Sequence, residues 1–271
     1  MLVEERRTFS RSMIRNRLRD VLSHDEVEID LLFGEIRRRN AAAPSIYPFA
    51  VVDNRLERVL PQSTVYTYLL LLALEEAPFR KRRGFASVDI GLDLLTIEGL
   101  VAYLGKRAEG IRFAWPPLKG PNHRPTKFID AIDWLADQLD RTVGSGRRSP
   151  NKKDGGVDVV VWRPFHDRAA GFLVILAQTT VQKDFVPKAK DIRAHQWNEW
   201  IPLGVPPLTA LVVPYSIPST SDAWDDMHYD VNLIIDRMRL CELLENAAPL
   251  PAEVCGRLEE WGQAELASMA L

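Results

Sequence analysis

Lys153-Asp154-Gly155-Gly156-Val157-Asp158-Val159-Val160-Val161-Trp162 is the stretch that decides how this chain is read. From Val157 to Trp162 the residues are apolar and mostly β-branched, the composition of a strand covered on both faces. Asp158 interrupts that run. A carboxylate inside a buried strand is costly unless it is paired or holds a cation. Asp154-Gly155-Gly156 before it has the composition of a tight turn.

Working outward, a second apolar strand is expected from Gly171 to Gln178, with Arg163 to Ala170 as the connection. It ends in Ala177-Gln178-Thr179-Thr180. A helix is expected over Phe185–Trp200, a third strand over Leu208–Val213 and a fourth over Val231–Ile235, running into a helix from Arg237 to Asn246. Upstream, Ile97, Leu100, Val101 and Leu104 follow helical spacing, with Gly105 placed as a C-cap. Ile111–Trp115 reads as a short strand. Thr126 is placed to cap a helix carrying Phe128, Ile129, Ile132, Leu135 and Leu139. Arg141 to Gly156, with four Gly and five basic residues, reads as a loop. Helix, strand, strand, helix, strand is an α/β order.

Residues 1–85 read as a mostly helical appendage, and 86–271 as the core with C-terminal helices. Helical spacing recurs over residues 1–40. Phe49–Val52 is a candidate strand turned at Asp53-Asn54, and Ser63-Thr64 is placed to cap a helix over Val65–Glu76. The 271 residues suffice for one large domain or a core with a smaller appendage. No apolar run approaches the roughly 20 residues of a membrane helix, and Met1 to Arg7 carries no apolar signal core, so the expected location is the cytoplasm, with no membrane partner. Net charge is −2 with a pI near 6.2, which lends no global support to nucleic-acid binding. Local basic clusters stand out at Arg37-Arg38-Arg39, at Arg80-Lys81-Arg82-Arg83, and at Arg147-Arg148 with Lys152-Lys153. Each suits phosphates or simple solvation. Cys241 and Cys255 have neither a disulfide framework nor zinc spacing and read as packed thiols. The five histidines lack metal spacing, and no phosphate-binding glycine loop occurs. Trp197 and Trp200 read first as core residues and second as base-stacking platforms.

Asp154-Gly155-Gly156-Val157-Asp158 followed by a strand ending in Gln178 resembles the PD-(D/E)XK nucleases, in the restriction-type branch that carries Asp-Gly-Gly-Val/Ile-Asp and a Gln-X-Lys second motif. The resemblance covers roughly residues 90–215. It implies a restriction-endonuclease-like mixed sheet flanked by helices. It also implies a metal-dependent endonuclease acting on DNA in restriction or antiviral defence, beside a partner subunit or as a homo-oligomer. Mg²⁺ or Mn²⁺ would be held by Asp158 and Gln178, with Glu98 of the preceding helix joining them, and Arg147, Arg148, Lys152 and Lys153 would grip phosphates. The chain departs from the pattern at the lysine, since Thr180 occupies that position. Lys183 is the candidate to orient the attacking water in its place, with Lys152 or Lys153 as substitutes. The departure keeps a second reading open: a nuclease-fold module that binds nucleic acid or a partner subunit and cuts nothing.

Overall fold

The structure, a computed structural model, describes residues 8–17, 26–59, 64–73, 88–120, 123–218 and 221–245, together with 247, 250, 252, 255–256 and 259–260. Its centre is a five-stranded mixed sheet: β4 (Glu109–Arg112), β5 (Val159–Arg163), β6 (Leu173–Thr179), β7 (Leu208–Val212) and β8 (Leu233–Ile235), in that spatial order. β4, β5 and β6 run antiparallel to their neighbours, whereas β6, β7 and β8 are parallel. The sheet therefore changes character at β6.

Both faces are covered, as the Val/Ile/Leu content requires. Successive strand residues alternate faces. Val159, Val161, Ile175, Ala177, Ala210 and Val212 pack with α4 (Val88–Leu104) and α8 (Arg237–Glu245). Val160, Trp162, Val174 and Leu176 pack with α5 (Phe128–Gln138) and α6 (Ala194–Trp200). At the β7–β8 end, Leu211, Val213 and Ile234 meet α7 (Asp222–His228) through Met227. Trp197 and Trp200 are buried in the second cluster, each with its indole N–H bonded to a loop carbonyl. Cys241 is a buried free thiol and Cys255 a partly buried one.

α4 lies close to α8 and to the sheet because two glycines permit it. A Cβ on Gly99 would fall 2.9 Å from Leu240 of α8, and one on Gly110 of β4 would fall 2.8 Å from Ile97 of α4. Gly105 ends α4 at φ +81°, in the role expected of it.

The N-terminal portion holds more strand than expected. Phe49–Val52 (β2) turns at Asp53 and Asn54, both at positive φ, into Arg55–Arg58 (β3), and Phe9–Ser10 (β1) adds a third antiparallel strand. Two consecutive positive-φ residues make the turn that matches hairpin twist. α1 (Arg11–Arg17), α2 (Glu26–Ala42) and α3 (Thr64–Leu72) accompany this sheet. Phe9, Phe33, Leu69 and Leu72 belong to the same buried cluster as Leu92, Leu95 and Val159 of the core. The proposed cap Ser63 and the basic cluster Arg80–Arg83 lie outside the described residues.

Other boundaries differ from expectation for local reasons. The helix expected over Phe185–Trp200 is broken into a 3-10 turn, Val186–Lys190, with Pro187 in its first turn, and the separate α6. The break frees Asp191 for contacts with the sheet end. α5 has Lys127, not Thr126, at its N-cap and makes no side-chain cap there. No helix among the described residues is long and apolar enough to cross a membrane.

Candidate functional site

The two glycines of the quoted stretch answer to backbone geometry. Gly155 and Gly156 sit at φ +67° and +81°. A Cβ on Gly156 would lie 2.6 Å from the carbonyl oxygen of Asp191. Asp154 Oδ1 accepts from Gly156 N–H at 3.0 Å, which makes Asp154 a turn residue. Buried Arg124 locks the turn from behind. It donates to the carbonyls of Phe113 (2.7 Å) and Lys153 (2.8 Å), and its guanidinium lies 4.4 Å from the Phe113 ring centre. Burial holds its pKa down at about 10, against the pull of the Asp154 charge.

After this turn the ladder slips. Ala177 sits opposite Val159, yet the Asp158 N–H also donates to Ala177 O at 2.9 Å. Two residues therefore face one, the arrangement of a β-bulge, which re-aims the extra side chain. The Asp158 carboxylate is turned onto the α4 side. There its Oδ2 accepts from the Thr179 N–H at 2.9 Å and lies 3.5 Å from the Thr179 hydroxyl. The same hydroxyl donates to Asp93 Oδ1 of α4 at 2.5 Å. Arg112 Nε donates to the other Asp93 oxygen at 2.7 Å. Asp93 is 1% exposed and the Arg112 side chain 9%. A partly buried chain, Arg112–Asp93–Thr179–Asp158, thus joins β4, α4, β6 and the start of β5.

The Arg112 guanidinium bonds Asp93 and acts on Asp158 through its charge. Loss of hydration, then the Asp93 charge, raises the Asp158 pKa to about 8 against the pull of the Thr179 N–H. At neutral pH the cluster therefore retains a proton on Asp158.

The other expected site residues are dispersed. Gln178 pairs with Leu211 and shares the sheet face opposite to Thr179. Its Nε2 donates to Asp191 at 2.9 Å, while its buried Oε1 has no hydrogen-bond partner among the described residues. Gln178 and Asp158 thus stand on neighbouring strands with their polar ends engaged on opposite faces. Glu98 lies on α4, five residues beyond Asp93. That is about 140° further around a helix of about 3.6 residues per turn, so the two acids cannot face one point. Glu98 makes none of the bonds of the cluster, and burial raises its pKa. Thr180 is buried and accepts from the Gln182 N–H, and Lys183 is exposed in the segment that follows. In the basic loop, Arg148 pairs with Asp133 at 2.5 Å. Lys152 donates to Gln196 and lies over Trp200. Lys153 lies over Trp115, and Arg147 is exposed.

No group of three or more His, Cys, Asp or Glu side chains that could hold a metal ion occurs among the described residues. No protein-family model, curated protein or solved structure matches the chain.

Sequence reasoning missed Asp93, Arg112 and Thr179. The signal for Asp93 was present: it is an acid in the otherwise apolar run Gly91-Leu92-Asp93-Leu94-Leu95, at i, i+3, i+7 spacing with Thr96 and Leu100. The argument that singled out Asp158 applies equally to it. Arg112 and Thr179 carry no such mark, because ordinary strand-end residues acquire their role only from what packs against them.

Proposed function

We propose that the chain is a Mg²⁺- or Mn²⁺-dependent nuclease of the PD-(D/E)XK type that hydrolyses DNA phosphodiester bonds in restriction or defence against foreign DNA. The observation that carries the reading is the convergence of two carboxylates, buried Asp93 and partly buried Asp158, on the Thr179 hydroxyl, where the sheet turns from antiparallel to parallel. The donor set suits the cation: carboxylate and hydroxyl oxygens are the hard ligands these ions take, and a carboxyl raised toward neutrality by burial and then by a neighbouring carboxylate is relieved by added positive charge. Such an ion, when bound, supplies Lewis-acid stabilisation of phosphate charge and a more acidic water.

In this reading Asp158 and Asp93 are the metal-holding pair, and Asp93 takes the part first expected of Glu98. Arg112 fixes the Asp93 carboxylate, and Thr179 sets the distance between the acids. Gln178 steadies the sheet end through Asp191 and presents its buried Oε1 to the opposite face. Lys183 remains the cation proposed to orient the hydrolytic water. Arg147 and Lys153, the exposed members of the basic loop, meet the DNA backbone. The site is proposed to act in the cytoplasm beside a partner subunit or a second copy.

A second reading, a nuclease-fold module that binds without cutting, is favoured by one observation: Arg112 already neutralises Asp93, so the cluster is short of charge for a divalent ion. A supercoiled-plasmid assay with Mg²⁺, Mn²⁺ or EDTA separates the two. The nuclease reading expects metal-dependent cutting that is lost in Asp158→Ala and Asp93→Asn and reduced in Lys183→Ala, with DNA affinity retained. Binding without products under any divalent metal would establish the second reading, and cutting that survives Asp158→Ala would refute the site.

A further inference from the structure

A cleft of about 450 Å³ opens at the other end of the sheet. Lys106 and Arg107, from the turn between α4 and β4, and Arg163, the last residue of β5, line one part of it. Pro164, Phe165, Phe172 and Leu173 line the rest. At about 3.3 Å per residue, the length of β5 puts this cleft about 17 Å from Asp158.

Three features make it more than a gap between side chains. First, among the described residues no acidic residue lines it and none of the three cationic side chains has an ion-pair or hydrogen-bond partner. Three like charges around one cleft repel, and a multivalent anion turns that repulsion into attraction. Second, Arg107 holds a left-handed backbone at φ +73°, in a turn closed by the Ala108 N–H on Gly105 O. Glycine is the residue suited to such a position, so keeping a cation there sets a backbone cost against a gain elsewhere. Third, the Phe165 ring is 63% exposed and Leu173 is 48% exposed, beside buried Phe172. The volume lies within the range of sites that enclose small molecules, about 300–1,000 Å³.

We propose that this cleft binds a nucleotide unit, with the phosphate among Lys106, Arg107 and Arg163 and the base against the open face of Phe165. Phosphate alone satisfies the cations and leaves the apolar wall wet. A base alone covers the wall and leaves the cations unpaired. The joined pair of groups fits both. The unit has two sources, a free mononucleotide or one residue of a single strand. The site stands apart from the acidic cluster and does not depend on the nuclease reading.

The test uses the full chain in EDTA, which removes any divalent-metal contribution. Calorimetric titrations with adenosine 5′-monophosphate, adenosine and inorganic phosphate run beside anisotropy with a fluorescent single-stranded DNA ten-mer. The variants are Phe165→Ala, Arg107→Gln and Arg163→Gln, with Asp158→Asn as control. All three substituted side chains of the cleft are exposed, so melting temperatures should hold and report any loss of fold. The expected result is binding of the monophosphate, the ten-mer or both. Phe165→Ala should weaken it about tenfold through lost stacking. Each arginine variant should weaken it and flatten its salt dependence, while Asp158→Asn leaves it unchanged. Monophosphate binding at least as tight per site as the ten-mer identifies the free nucleotide, whereas binding of the ten-mer alone identifies the strand. Equal affinity for phosphate and monophosphate with no effect of Phe165→Ala would overturn the proposal. So would no binding, or binding lost in Asp158→Asn and kept in the cleft variants.

Discussion

Replacing Asp158 by Asn should change how stability depends on pH, and in a direction opposite to that of an ordinary carboxylate. The folded-state pKa of about 8 lies above the ordinary value of 3.8. Between these two values the folded chain holds a proton on Asp158 that the unfolded chain has released. Stability therefore falls as pH rises through this window, at up to about 1.4 kcal/mol per pH unit from this one group. From about pH 5 to about pH 7, both inside the window, the loss is about 2–3 kcal/mol. Asn copies the shape of the protonated acid, keeps an oxygen for the Thr179 N–H and has nothing to ionise, so the variant lacks this component. Urea unfolding followed by tryptophan fluorescence, at constant ionic strength and several pH values, measures the difference between the two proteins. Other carboxylates act on both and cancel. The gain of Asp158→Asn over wild type should widen by about 2–3 kcal/mol across those two pH units. Asp93→Asn should flatten the wild-type slope, since the Asp93 charge is the second cause of the shift. Parallel wild-type and Asp158→Asn profiles would refute the claim that Asp158 is held protonated by burial beside Asp93.

Three further outcomes follow from the same geometry. Arg112→Met removes the guanidinium bonded to the nearly inaccessible Asp93 carboxylate and should cost about 3–5 kcal/mol in urea unfolding; adding Asp93→Asn should restore much of it, and strict additivity of the two changes would sink the pairing. Gly156→Ala forces a Cβ to 2.6 Å from the Asp191 carbonyl at a left-handed φ, so a loss of at least about 1–3 kcal/mol is expected, against little change if the turn could relax. If the acid pair holds a divalent ion, Mg²⁺ should raise the melting temperature of wild type and leave Asp158→Asn unmoved; equal shifts in both would place the ion elsewhere.

The strands of the sheet were legible because burial on both faces leaves a local mark. Val157–Trp162, Gly171–Gln178 and Leu208–Val213 are apolar runs, and each falls within a residue or two of an observed strand. Trp197 and Trp200 read first as helix core residues, and both are buried. Phe185–Trp200 read as one helix, since periodicity survives a break that Pro187 and the contacts of Asp191 impose. The strand Arg55–Arg58 was missed because Arg55-Leu56-Glu57-Arg58 is largely polar and holds its place, between Phe9–Ser10 and Phe49–Val52, through backbone pairing that leaves no apolar mark.

By itself the sequence determined that an acid, Asp158, would stand where a buried strand begins beside a glycine turn, because apolarity, β-branching and the Asp-Gly-Gly string are properties of neighbouring residues. Only the tertiary structure decided which groups that acid would meet. A slip of one residue in the β5–β6 ladder turned the carboxylate from the Gln178 face to the α4 face. In a strand a one-residue shift exchanges the faces, and hydrogen bonds between distant segments, not local composition, set that register. Asp93, Arg112 and Thr179 therefore became its partners through the packing of α4 against β4 and β6.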